Sequence, residues 1–279
     1  MTTLHEVLNK QNADPRDANI DFFEQDHKYV IKFEPDTKYT SVTTWVHHQF
    51  PKFNADDIIE TMMSSKGWKE GHKYWGLTPD EIKALWNANG SAVSQFGTDL
   101  HYEIECFMNN SLLPKGYTHE QLYNFYMSNT TASAHEAKPL EWHYFINFIK
   151  DTPHLKPFRT EWTVYNEDVK ISGSIDMIYE NPDGTLSIYD WKRSKNITRI
   201  NNWNKFALPP EICHLPDANF WHYAMQLNTY KVILETKYKK VVTDLYLVRL
   251  HPNASEKNYE LIQLPDLSSE VRDLFKKFV

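Results

Sequence analysis

The segment 171–195 is the part of the sequence that most constrains what this chain can form. It reads ISGSIDMIYENPDGTLSIYDWKRSK, two apolar strand-like runs joined by a Pro-Asp-Gly turn. Asp-Gly between alternating apolar runs is a strong hairpin signal. One aspartate interrupts each run, Asp176 in the first and Asp190 in the second, and Lys192 follows two positions later. Because unpaired buried charge is among the costliest features of a fold, these three residues predict a functional site.

Two adjacent strands would bring both aspartates to one end of a sheet. Crowded carboxylates raise each other's pKa unless a cation lies between them. Oxygen ligands of this kind suit Mg²⁺ or Mn²⁺, which commonly bind one or two carboxylates together with water and phosphate oxygens. Lys192 points to the same strand face as Asp190, where it can hold an attacking water or neutralise charge on a phosphate. Taken alone, this pattern also fits a surface hairpin with an incidental ion pair.

Two further pairs of polar residues lie four positions apart on predicted helices. His101 and Glu105 would project from one helix face and reach a single ion. Gln226 and Tyr230 have the same spacing, and an amide and a phenol suit hydrogen bonds to phosphate or sugar oxygens. In isolation, such pairs are more often a surface histidine or the polar edge of a core helix.

The order of the predicted elements indicates an α/β fold, with a mixed sheet flanked by helices and a largely helical N-terminal portion. The strand group spans residues 159–194, followed by a helix over 219–238, strands within 240–264 and a closing helix over 267–278. We expect one domain over 1–279.

Within that domain, we expect residues 1–75 to form a strand and helix extension and 80–250 to form the catalytic core. Residues 1–20 are polar and expected to be loosely ordered. Thr43 or Thr44 is predicted to cap a short helix. A capping box at Thr78 predicts the start of a long helix, or of two helices with a joint near Gly90.

Composition narrows the class of protein. The two cysteines, Cys106 and Cys213, lack a CxxC partner, which favours plain thiols in a reducing compartment and argues against zinc-ribbon or iron–sulfur sites. No signal peptide and no run near the ~20 apolar residues of a membrane span is found. We therefore expect an intracellular, cytoplasmic or nuclear protein that is not secreted. A formal net charge of −7 means that a nucleic-acid site needs a local basic patch or metal ions.

One stretch of the sequence is basic, although the chain as a whole carries a negative net charge. Residues 191–210 contain no acid and combine basic with aromatic side chains: Lys192, Arg193, Lys195, Arg199 and Lys205 with Trp191, Trp203 and Phe206. Basic groups follow phosphates while aromatic rings stack on unpaired bases, at roughly 1–3 kcal/mol per base. The alternative is a solvated basic loop.

Together, these motifs resemble a known family. The ordered set GxxxHxxxE, GxxD, DxK and QxxxY, read as Gly97-His101-Glu105, Gly173-Asp176, Asp190-Lys192 and Gln226-Tyr230, resembles the RecB-like branch of the PD-(D/E)XK nuclease superfamily. Residues 39–59 also resemble the start of RecB-like proteins encoded by large DNA viruses and phages.

The resemblance implies a restriction-endonuclease-like fold and a role for each matching residue. His101, Asp176 and Asp190 would be metal ligands, with the carbonyl of Trp191 as a further ligand. Lys192 would be the catalytic lysine. Glu105 would act in catalysis or support the ligands, Glu161 matches a frequent acidic position, and Gln226 and Tyr230 would contact DNA.

The implied activity is metal-dependent hydrolysis of DNA by an exonuclease or a nuclease acting on single strands or ends, in replication, recombination or repair. The chain lacks the four cysteines that bind an iron–sulfur cluster in some relatives. Two alternatives stay open, a nucleic-acid-binding or scaffolding protein that kept the fold without turnover, and an RNA nuclease of the same fold. A viral protein would act in the host cell.

Overall fold

The computed structural model describes residues 6–23, 25–109, 118–129 and 138–278. The chain packs as two compact units, one made of Met1–Pro51 with Leu100–Val279 and the other of Lys52–Asp99. The predicted single domain with boundaries at 75, 80 and 250 stays a prediction.

The larger unit contains one mixed sheet. Its strands are β3 (Thr40–Ser41), β4 (Lys156–Asn166), β5 (Ile171–Glu180), β6 (Leu186–Lys192), β7 (Val242–Arg249) and β8 (Glu260–Gln263). They follow the order β3-β5-β6-β7-β8, with β4 paired to β5. The β3–β5 and β6–β7 pairs are parallel and the other pairs are antiparallel. The predicted hairpin is confirmed, with Gly184 in its turn at φ +83°.

Helices cover both faces of this sheet. They are α2 (Val42–His47), α5 (His119–Asn129), α6 (Leu140–Asp151), α7 (Asn219–Lys237), α8 (Ser268–Phe275) and the end of α4 (Pro79–Met108) from Leu100 onward. Alternating strand residues divide between two cores, so Ile188 packs with α2, α7 and α8 while Tyr189 packs with α4, α5 and α6. This arrangement confirms the predicted mixed sheet flanked by helices.

The N-terminal segment is more ordered than expected. Helix α1 (Val7–Gln11) and a 3₁₀ helix (Pro15–Asn19) precede the antiparallel pair β1 (Ile20–Phe23) and β2 (Lys28–Ile31). Asp14 and Asp17 form a reciprocal capping box, and Asp17 binds the buried Arg159 at 2.7 Å. The expectation of loose order is therefore wrong for 7–19, because these polar side chains pair with the sheet.

The helix starts follow the sequence with one exception. In the Lys52–Asp99 unit, α3 (Ala55–Met63) begins at its Asn54 cap, and α4 begins at the predicted box of Thr78 and Glu81 and continues through Gly90 without a joint. The predicted cap of α2 by Thr43 or Thr44 is wrong. Ser41 is the N-cap residue, and its Oγ accepts a hydrogen bond from the Thr44 N–H at 3.1 Å. None of the described helices combines the length and apolar character needed to cross a membrane.

Candidate active site

Strand register aligns three carboxylates across the sheet. The β4–β5 register places Glu161 opposite Asp176. The last β5–β6 pair, Met177 with Tyr189, lies one residue from Asp176 and one residue from Asp190, so both aspartates adjoin the end of this ladder. The charge of Asp176 contributes to the raised pKa of Glu161 and of Asp190, which places it close to both acids.

Asp176 lies where β6 separates from β5. Strand β4 follows one edge of β5, whereas β3 pairs with residues 171–172 and β6 with 177–180. Among the described residues, 173–176 have no strand partner on that second edge. The separation leaves the Trp191 N–H outside the ladder, and it donates to Asp176 Oδ2 at 3.1 Å.

Glu161 is held in an unusual conformation. Its φ is +42°, in the left-handed region that a side-chain-bearing strand residue rarely occupies. Ser174 Oγ donates to Glu161 Oε2 at 2.8 Å. Burial, followed by the negative charge of Asp176, raises the pKa of Glu161 to about 7. Burial and the neighbouring negative charge thus favour the protonated form of this carboxyl group in the metal-free protein.

His101 completes a group of three potential ligands. Its Nε2 lies 2.7 Å from the carbonyl oxygen of Trp191, and its Nδ1 lies 3.5 Å from Asp176 Oδ2. Since a carbonyl only accepts, Nε2 carries the proton, which leaves the Nδ1 lone pair of the neutral ring facing the carboxylate. Ligand atoms of His101, Glu161 and Asp176 all lie within 4.8 Å of one another. Oxygen and imidazole donors that converge in this way, with repulsion between the acids, fit a divalent cation.

Asp190 and Lys192 form a buried ion pair beside this group. Their side chains are 3% and 18% exposed, and Lys192 Nζ lies 2.6 Å from Asp190 Oδ2. Trp191, which lies between them in sequence, packs edge-on against Phe145 and Phe148 in the core on the other face of the sheet. Because side chains alternate along a strand, Asp190 and Lys192 point to the face opposite Trp191.

The two charges of this pair have shifted pKa values. Burial and then the charge of Asp176 raise the pKa of Asp190 to about 6. Burial lowers the pKa of Lys192, but Asp190 and Asp176 outweigh it and the net shift is upward. Lys192 is therefore protonated at neutral pH. Its Nζ also lies 4.9 Å from the ring centre of Tyr223 on α7.

A comparison with protein-family models agrees with this arrangement. The model described as the PD-(D/E)XK nuclease superfamily matches residues 85–279, a span that contains His101, Lys192 and the three acids of the site. The chain belongs to the PD-(D/E)XK nuclease superfamily. No curated protein matches the chain.

In this member of the superfamily, the predicted ligands lie in two adjacent groups. Asp176 and His101 adjoin Glu161, whereas Asp190 pairs with Lys192. The carbonyl oxygen of Trp191, which stays a predicted ligand, lies 2.7 Å from His101 Nε2.

The predicted motif partners lie around the same group. Glu105, half-buried on α4, lies near enough for its charge to contribute to the raised pKa of Glu161. Tyr230 is 4% exposed and bonds to the half-buried Gln226. Tyr29 of β2 was missed, because no motif marks it. Its pKa is raised by burial and then by Glu161 and Asp176, which places it beside the carboxylates.

The residues of 191–210 that were predicted to contact DNA divide into two groups. Arg193 forms an ion pair with Glu141 at 2.6 Å, and both side chains are largely buried. The others lie on the surface of the segment that follows β6: Lys195, Arg199, Trp203 and Lys205. Glu141 was another residue that the sequence did not single out.

Proposed function

We propose that this chain is a metal-dependent deoxyribonuclease of the RecB-like branch, which hydrolyses phosphodiester bonds at DNA ends or in single strands. The observation that carries the proposal is the convergence of three acids, one histidine and a buried lysine at the point where β5 and β6 separate. A fold kept only for binding has no need of such a desolvated acidic cluster, since its repulsion destabilises the protein.

His101, Glu161 and Asp176 would hold the cation, which we propose to be Mg²⁺ or Mn²⁺. Asp190 belongs to the proposed set as well, because it is buried close enough to Asp176 for the charge of Asp176 to raise its pKa. When bound, such an ion supplies positive charge at the phosphate and lowers the pKa of a coordinated water. The Trp191 carbonyl orients His101 from behind, as an outer partner of a ligating imidazole does.

Lys192 would act directly on the substrate. The carboxylate of Asp190 keeps the ammonium protonated and fixes its position, so its N–H groups can donate to a phosphate oxygen as negative charge develops. Preorganised charge in a site with little water stabilises the transition state more than the ground state. Glu105 would support Glu161 from the adjacent helix.

The strand would be guided by the surface that follows β6. Lys195, Arg199 and Lys205 would contact phosphates, and Trp203 would stack on a base. Gln226 stays a proposed contact near the scissile phosphate. Arg193 and Tyr230, which are held by Glu141 and by burial in the core, would position neighbouring residues. A role in replication, recombination or repair would follow from this activity.

The decisive experiment measures product lengths on end-labelled linear, circular and single-stranded DNA with Mg²⁺ or Mn²⁺, with RNA as a parallel substrate. We expect metal-dependent cleavage that is lost in Asp176→Asn and Asp190→Asn. Cleavage of the circle would identify endonucleolytic action, and preference for RNA would assign the activity to the alternative substrate. Hydrolysis in excess EDTA, or full turnover in both variants, would refute the proposed site. Binding without turnover by the intact chain would favour the scaffolding alternative.

A further inference from the structure

The segment between β6 and α7, residues 193–218, exposes several large apolar side chains, whereas asparagine side chains in the same region form hydrogen bonds with the backbone. Four large apolar side chains are exposed to solvent, with exposed fractions of 72% for Ile200, 70% for Trp203, 61% for Leu208 and 40% for Phe206. We name this segment the 193–218 loop. Since burial of apolar surface drives folding, a clustered apolar exposure of this kind indicates a binding surface.

Asn201 fixes the tip of the loop. Its Oδ1 accepts hydrogen bonds from the N–H groups of Trp203 at 2.9 Å and Lys205 at 3.0 Å. Its Nδ2 donates to the carbonyl of Lys205 at 2.6 Å. One side chain thereby fixes the backbone on both sides of the exposed indole, as in an Asx turn.

The base of the loop is fixed independently. Asn219 Oδ1 accepts from the N–H of Thr198 and its Nδ2 donates to the carbonyl of Asn196, both at 2.8 Å. Other apolar residues of the loop lie in the main core: Ala207, Ile212 and Leu215. The loop has therefore buried the apolar residues that its own stability needs, and the exposed ones are held outward by an ordered backbone.

The charge around the exposed indole identifies the partner. Lys195, Arg199 and Lys205 are exposed, and residues 191–210 contain no acid. None of these three cations is ion-paired with a carboxylate in the parts of the chain that the structure describes. Arg199 is also oriented by its position 4.2 Å above the ring of Phe220. A polyanion with flat apolar faces satisfies both features, and single-stranded nucleic acid has that chemistry.

We propose that the 193–218 loop is a preformed platform for unpaired bases, and that Asn201 is the residue that positions Trp203 to stack on one of them. The inference rests on the proposed nuclease function and assigns single strands as the bound form of the substrate. Because the backbone is fixed before binding, less conformational entropy is lost when the strand is bound.

A double-mutant cycle tests the role of Asn201. The full chain is titrated in EDTA, which prevents hydrolysis, against fluorescent oligothymidylate and a duplex of equal length, with anisotropy as the readout. Trp203→Ala should weaken single-strand binding roughly 5- to 150-fold. Asn201→Ala should weaken it by a smaller factor in the native background but have no further effect when combined with Trp203→Ala. Asn201→Ser, in which a hydroxyl oxygen can replace the amide oxygen as acceptor, should retain part of the affinity lost in Asn201→Ala.

Controls separate this role from general loss of structure. Trp75→Ala removes an exposed indole from the other unit and should leave affinity unchanged, and thermal melts should coincide for all variants. Unchanged single-strand affinity in Trp203→Ala, additive effects in the cycle, or an equal loss on the duplex would overturn the proposal. A change in sedimentation with unchanged DNA affinity would also overturn it, since the loop would then contact a second protein copy.

The failure of the nuclease proposal would be visible separately. Hydrolysis of bis(p-nitrophenyl) phosphate with Mn²⁺ reports the catalytic group without a strand or bases. Trp75→Ala, in the Lys52–Asp99 unit, should leave it unchanged. If the unaltered chain does not hydrolyse this diester or DNA, the proposed function fails, whereas the titrations still decide whether the loop binds single strands.

Discussion

The phenol ring of Tyr230 lies directly against Gly173. A methyl group at residue 173 would come within 2.8 Å of the Tyr230 oxygen and 3.1 Å of Val42 Cγ2. Tyr230 is 4% exposed and bonds to Gln226, so the ring cannot withdraw without loss of core packing. The glycine of the GxxD motif is therefore required by the tyrosine of the QxxxY motif, and together they fix β5 against α7 three residues before Asp176.

Gly173→Ala should destabilise the protein by about 1–3 kcal/mol, the usual cost of overpacking a core. Because the displaced segment leads into Asp176, hydrolysis should fall by more than the melting temperature alone explains. Gly90→Ala is the matched control, because the helical Gly90 has no atom within 4 Å of an added Cβ among the described residues. That change should instead stabilise α4 by about 1 kcal/mol. Thermal melts measure both effects. Equal shifts of the melting temperature in Gly173→Ala and Gly90→Ala would contradict the close contact between Gly173 and Tyr230.

Glu161→Gln should stabilise the metal-free protein at pH 8. The folded-state pKa of about 7 exceeds the ordinary value of 4.5, so between these values the folded protein binds more protons than the unfolded chain. The free energy of unfolding of the native chain therefore falls as pH rises through this window. The variant avoids that loss, and its advantage should grow from near zero at pH 4 to roughly 2–3 kcal/mol at pH 8. Urea unfolding at several pH values measures it.

The same substitution should reverse the order of stability when metal is added. A cation that binds only the folded state stabilises it in proportion to RT ln(1 + [L]/Kd), and the neutral amide is the weaker ligand. Saturating Mn²⁺ should raise the melting temperature of the native chain more than that of Glu161→Gln. Ser174→Ala, which removes the hydroxyl that bonds to Glu161, is expected to be intermediate in metal affinity. Equal metal-induced shifts in all three proteins would remove Glu161 from the ligand set.

Lys192→Ala should separate the chemical step from binding. The ammonium is one contact among several for DNA but a large part of the charge stabilisation at the phosphate, so the single-turnover rate should fall by about 10²–10³-fold with little change in Kd. Lys195→Ala is the matched control, since that lysine is exposed three residues later and should affect affinity only. Equal losses of rate and affinity in Lys192→Ala would mean that the residue merely holds the strand. A lower melting temperature is expected in either case, because Asp190 loses its partner.

Local signals in the sequence were sufficient for much of the fold and for the two aspartates. The hairpin turn, the α4 capping box and the alternation in β6 are encoded within a few residues, and each was confirmed. The grouping of Glu161 with Asp176 depends on the pairing register of β4 and β5, because a shift of one residue would move Glu161 away from Asp176. Tyr29 lies beside the carboxylates and Glu141 pairs with Arg193, both from elements distant in sequence, and no local pattern marks such contacts.

Replacement of Arg199 and Lys205 by alanine should weaken binding of all DNA sequences about equally. Each lost phosphate contact removes nearly one released counterion, so the slope of log K against log salt should become shallower by up to about 1.4 for single strands. Lys10 and Lys276 are the matched controls, because both are exposed but already paired with a nearby carboxylate, at 2.8 and 2.7 Å.

Replacement of Lys10 and Lys276 by alanine lowers the net charge of the chain by the same amount and should leave the slope of log K against log salt unchanged. If both double variants flattened the slope equally, the effect would come from total charge rather than from the 193–218 loop. If neither did, bound metal ions would remain the only anchor for the strand, and the guiding role of this basic surface would be refuted. Titrations at several salt concentrations, with melts to verify folding, distinguish these results, since local contacts depend on where a cation lies and total charge does not.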